Sequence, residues 1–158
     1  MDSYTVVISK LVENKCLECS MGQLETYLIL KYAPKMVEYF RRLRCPFCNK
    51  RFTKSSFLAA HLKSNVSKCR STMYRIYSLA HMICSVVRMN IKRTRTRYVC
   101  TLCGFRAPFI YNMVNHFIDN HSNLFHDVLN EFLSITMHFR DEEPKRSVIT
   151  IIETPLSP

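Results

Sequence analysis

"YVCTLCGFRAPFIYNMVNHFIDNH", residues 98–121, carries two cysteines near one end and two histidines near the other. The spacing is Cys100-x2-Cys103-x12-His116-x4-His121. Zinc takes four tetrahedral ligands and favours thiolate sulfur and imidazole nitrogen. A Cys-x2-Cys knuckle offers two sulfurs to one ion, and two histidines about one helical turn apart offer two nitrogens from one helix face. The residues between fit that arrangement. Gly104, directly after the second cysteine, suits a turn that needs positive φ. Met113 lies three before His116 on the same face, where Phe105 can pack under it.

This motif resembles a C2H2 zinc finger, of the variety with an aromatic residue two positions after the second cysteine. The bland alternative is two buried thiols and two surface histidines, and an earlier stretch argues against such a coincidence. "CPFCNKRFTKSSFLAAHLKSNVSKC", residues 45–69, reads Cys45-x2-Cys48-x3-Phe52-x5-Leu58-x2-His61. Up to His61 it is similar to the C2H2 pattern at every marked position, and the likeness implies that Phe52 and Leu58 form a small core over the metal. No histidine follows His61 at the family's usual interval. Cys69 is the nearest fourth ligand, which makes this a C2HC variant. The other choice is a water in the fourth position, as at catalytic zinc. With no acid nearby to act as general base, the closed structural site is preferred.

A third site is open to the sequence. Cys16 and Cys19 form another knuckle without a local partner, while His81 and Cys84 sit three apart on one helix face. Two zinc ions per chain are expected, and three if these four residues converge. Otherwise His81 and Cys84 are core residues and the knuckle holds free thiols.

At 158 residues with 47% apolar content, the chain suffices for one or two small domains and offers no stretch long enough to span a membrane. Eight cysteines would suggest disulfides in a secreted protein. Cys/His interleaving and an N-terminus unlike a secretory signal favour an intracellular, reducing compartment, and the nucleus in a eukaryotic cell or host. The net charge is +11, and its placement is informative. From Phe40 through Ile118 there is no Asp or Glu, whereas sixteen Lys and Arg residues lie there. A solvated face usually mixes signs. A polyanion is the better explanation, with nucleic acid the expected partner and DNA placed before RNA.

The chain divides into an N-terminal segment with knuckle and helix (1–44), finger one (45–70), an apolar helix and basic connector (71–97), finger two (98–122), and a C-terminal helix, hairpin and tail (123–158). Residues 22–43 read as helical with a break near Pro34. A helix over 71–90, with Ser71 as N-cap, is apolar nearly all round and should be buried in the protein or in a partner. Residues 122–134 continue as a helix with Leu124, Val128 and Phe132 on one side. "ITMHF" and "SVITIIE" look like a hairpin. The expected fold is therefore small α+β, mostly helical. Two separated ββα fingers, the unit that the resemblance implies, are integrated with extra helices. Thirty-eight residues separate His61 from Cys100, so the fingers are not a tandem array.

In a DNA-bound C2H2 finger, helix positions −1, 3 and 6 face bases. The resemblance puts Lys54, Phe57 and Ala60 there in finger one, and Phe109, Asn112 and Asn115 in finger two. Asparagine pairs bidentately with adenine, so Asn112 and Asn115 are candidate base readers. Candidate phosphate contacts are Lys50, Arg51, Lys54, Lys63 and Lys68 on finger one, and Arg88, Lys92, Arg93, Arg95 and Arg97 on the connector, read as a flexible arm. No phosphate loop, His-Glu-x2-His or acidic pair is found in the basic half. An enzyme is not expected, a zinc-dependent nuclease being the one class compatible with the basic track. The leading reading is a regulatory zinc-finger nucleic-acid-binding protein, similar to small zinc-finger proteins encoded by viruses. The alternative is a zinc-stabilised adaptor that docks a partner or a second copy through residues 71–90.

Overall fold

The computed structural model describes residues 22–64 and 68–140. It is mostly helical, with one small antiparallel sheet. In chain order the elements are α1 (Gly22–Tyr32), α2 (Pro34–Arg41), α3 (Ser55–Lys63), α4 (Lys68–Met89), β1 (Ile91–Arg93), β2 (Tyr98–Cys100), β3 (Arg106–Ala107), α5 (Ile110–Asn120), a 3-10 turn (Ser122–Phe125), α6 (His126–Ile135) and a second 3-10 turn (Met137–Phe139).

Pro34 divides α1 from α2 as its missing N–H dictates, and it occupies the first turn of the second helix. The central element is α4. It buries Met73, Ile76, Leu79, Ala80, Ile83, Cys84 and Val87, a stripe at helical spacing, and packs against α1, α3, α5 and α6. The apolar helix read from the sequence is thus the protein's own core. Ile76, Leu79 and Ile83 face inward, so this stripe is not a docking surface. The helix also starts earlier than expected: Ser71 lies inside it and caps nothing.

Three further expectations change. The basic connector is not a flexible arm. Residues 91–100 form a β-hairpin, with Ile91 opposite Cys100 and Arg93 opposite Tyr98. Thr94 closes its turn, its backbone N–H and hydroxyl both donating to the Arg97 carbonyl at 2.8 and 2.9 Å. Beyond finger two, the residues that go inward are Phe125, Leu129, Phe132 and Leu133, while Leu124 is exposed. A 3-10 turn before α6 rotates the inward face, which a continuous helix would not do. Finally, the first half of the expected C-terminal hairpin is not a strand. Ile135 ends α6, and Phe139 in the following turn packs edge-on against Tyr39 and Phe47 at 6.5 and 5.8 Å. "SVITIIE" lies outside the described residues.

Candidate metal centres and nucleic-acid interface

Finger two is built on the knuckle between β2 and β3. The Gly104 N–H donates to the Cys100 carbonyl at 2.8 Å, and the Cys100 N–H to the Phe105 carbonyl at 2.8 Å. Gly104 has φ +80°, the left-handed conformation that a residue without Cβ adopts freely, and a Cβ there would meet nothing within 4 Å. Backbone conformation, not crowding, therefore selects glycine. Finger one repeats the turn. The Asn49 N–H donates to the Cys45 carbonyl at 2.9 Å, with Asn49 at φ 68°. Asparagine is among the few other residues that tolerate this region.

Helix α3 brings His61, and α5 with its C-cap residue brings His116 and His121, back over the knuckles. Donor atoms of Cys45, Cys48, His61 and Cys69 all lie within 4.8 Å of one another, as do those of Cys100, Cys103, His116 and His121. Around a tetrahedral ion, zinc–sulfur and zinc–nitrogen bonds of about 2.3 and 2.0–2.1 Å separate S from N by about 3.5 Å. The observed Sγ···Nε2 separations are 3.5 Å for Cys48–His61, 3.6 Å for Cys100–His121, 3.4 Å for Cys103–His121 and 3.1 Å for Cys103–His116. Both donor sets therefore fit one four-coordinate ion, and thiolate with imidazole is the chemistry zinc takes.

Local electrostatics suit a cation. Burial pushes the Cys45 thiol up to about 12, so without a cation it keeps its proton; a bound cation reverses that preference. Burial lowers His61 and His116 below the usual imidazole value, leaving them neutral and able to ligate at pH 7. Aromatic rings fix both imidazoles: Phe52 lies 5.1 Å from His61, and Phe105 stacks on His116 at 4.2 Å with planes 10° apart.

The fourth donor of the finger-one cluster comes from beyond the knuckle and α3. Cys69 is the second residue of α4, so this site joins the knuckle, α3 and the central helix. For the third site, Cys16 and Cys19 lie outside the described residues. The His81 Nδ1 is 2.7 Å from the Glu25 carboxylate, and Cys84 is buried with its thiol pushed up by burial. Among the described residues, the metal-type clusters are the two in the fingers.

The basic candidates divide. Lys50, Arg51, Lys54, Lys68, Lys92, Arg93, Arg95 and Arg97 are exposed, and Lys63 is half-buried. Arg88 is not available to a phosphate. It is nearly buried and pairs with fully buried Glu25, Nη2 to Oε1 at 2.8 Å. Asn115 is likewise engaged. Its amide donates to the Tyr27 hydroxyl at 2.9 Å and accepts from Lys31. Asn112 is exposed.

The sequence reading missed Glu25, Tyr27 and Lys31. One signal was present: Glu25 falls in the buried stripe Leu24, Leu28, Ile29 and Tyr32, where an acid requires a partner. It also missed Arg106, which the strand register aligns across Val99 with Lys92 on one sheet face.

The mouse protein zinc finger and BTB domain-containing protein 11 is 30% identical over 105 residues, 66% of this chain. The chain spans about a tenth of that relative's length, 10%. No protein-family profile matches the chain, and no solved structure matches it. The two Cys/His clusters and this relative give the chain zinc-finger-like character. No helix among the described residues is long and apolar enough to cross a membrane.

Proposed function

We propose that the protein binds nucleic acid, DNA before RNA, as a regulatory module with a structural zinc ion in each finger, and that it is not an enzyme. The observation that carries this reading is the set of exposed cations on the fingers and the β-hairpin, within a stretch that contains no acid. Such a surface gathers phosphates and releases their counterions. Zinc supplies structure: each cluster closes a unit too small to bury an adequate core alone. In a eukaryotic cell this role belongs in the nucleus.

The test is binding of labelled duplex and single-stranded DNA by the zinc-loaded protein over a salt series. A steep fall of log K with log salt, about 0.9 per phosphate contact on duplex, is expected. Absence of binding at low salt overturns the reading.

A further inference from the structure

Finger two does not present its helix as a groove-reading finger does. Asn115, at base-facing position 6, is hydrogen-bonded to Tyr27 and Lys31 of α1, and Tyr111 packs on Tyr27 with ring centroids 4.7 Å apart. Thus α1 lies against the reading helix at Tyr111 and Asn115. The B-DNA major groove is about 12 Å wide and a helix with its side chains about 10–12 Å across, so the groove admits one helix and not two side by side.

Among the base-facing positions, two aromatic residues are exposed alongside Lys54, Ala60 and Asn112. Phe57, at position 3 of finger one, is 51% exposed, and Phe109, at position −1 of finger two, is 64% exposed. Phe105 shows one ring face to His116 and is 42% exposed. Phenyl rings offer base edges no hydrogen bond, but they do offer every unpaired base a stacking surface. Cations adjoin them: Lys54 Nζ lies 5.7 Å from the Phe57 ring centroid, and exposed Arg106 follows Phe105 in β3.

Accepting the nucleic-acid reading, we infer that the partner is met as a single strand, whose unpaired bases stack on Phe57 and Phe109 and whose phosphodiesters lie on the neighbouring Lys and Arg residues. Stacking and phosphate contacts do not depend on the sugar, so this chemistry is shared by DNA and RNA strands.

Fluorescence anisotropy of the full, zinc-loaded chain tests this with one mixed sequence presented as single-stranded DNA, as RNA and as duplex DNA. Single strands should bind at least about tenfold more tightly than the duplex. Phe57→Ala and Phe109→Ala should each weaken single-strand binding by about 5- to 150-fold, with zinc content unchanged. Tyr at either position should retain affinity and Leu should lose it. The DNA and RNA arms identify the strand. Duplex binding as tight as single-strand binding overturns the inference while leaving the broader reading intact, as does unchanged affinity in both alanine variants. Failure of all three nucleic acids to bind removes the broader reading itself.

Discussion

Asn115 donates a hydrogen bond to the Tyr27 hydroxyl at 2.9 Å, so a side chain at a base-reading position of one helix is held by another helix 88 residues away in sequence. Asn115→Ala should therefore behave as a stability variant. A loss of about 1 kcal/mol is expected, with no change in sequence preference. Urea midpoints and competition binding with varied oligonucleotides measure the two effects separately.

Arg88 belongs to the same class. Removing Arg88 leaves buried Glu25 with His81 as its remaining partner, at a cost of up to about 3–5 kcal/mol. Arg88→Met should lower the unfolding free energy by that order. Arg95→Ala, at an exposed turn, should leave it within about 0.5 kcal/mol. Equal stability of the two variants in chemical denaturation would contradict the role of Glu25 as an internal anchor.

Replacing Arg93, Arg95 and Arg97 together by Ala should flatten the salt dependence on duplex DNA by up to about three units and weaken all sequences alike. Melting temperature should barely move, because these side chains are exposed. An unchanged slope would show that the hairpin does not contact phosphate.

Metal analysis of protein kept reduced should return two zinc ions per chain, and Cys69→Ser should weaken the finger-one site while sparing finger two. A third ion, lost in both Cys16→Ser and His81→Ala, would add the knuckle at Cys16 and Cys19 to the metal ligands. Fewer than two ions in the unmodified chain would overturn the finger assignment.

Acid should release the metal. Protons compete for thiolate and imidazole, so zinc affinity falls with pH. The metal-free fold responds with the same sign. His61 and His116 have folded values below the ordinary imidazole value of about 6.5, so the unfolded chain takes up protons first. Their contribution is fully present above about pH 6.5 and is lost as pH falls through the depressed folded values. A chromophoric chelator and far-UV circular dichroism, followed from pH 7.5 down to pH 4, should show release preceding or accompanying loss of helix.

The metal clusters were legible because most of their ligands are set by local rules. A knuckle and one helical turn fix Cys100, Cys103, His116 and His121, and the same rules fix Cys45, Cys48 and His61. Cys69 was reachable as the nearest remaining thiol. The errors arise where the deciding partner is distant. Arg88 and Asn115 look like solvent-facing polar residues in their own helices, yet Glu25 and Tyr27 lie 63 and 88 residues away. The connector was read as an arm because its turn has neither Gly nor Asn, and the Thr94 hydroxyl supplies the closure instead. "ITMHF" alternates apolar and polar residues like a strand, but five residues cannot separate that period from a helix end when Phe139 has a pocket to fill.

The two metal centres differ in when they can form as the chain leaves the ribosome. Finger two has all four ligands within residues 100–121, so it closes as one local unit. Finger one reaches three ligands by His61 but must wait for Cys69, which sits on the first turn of the 22-residue helix at the centre of the core. A helix of that kind gains most of its stability from packing, and its partners include α6, synthesised last among the described helices. Capture of an ion at finger one should therefore follow completion of the core rather than emergence of the finger. During synthesis the earlier motif in the sequence should be the later one to mature.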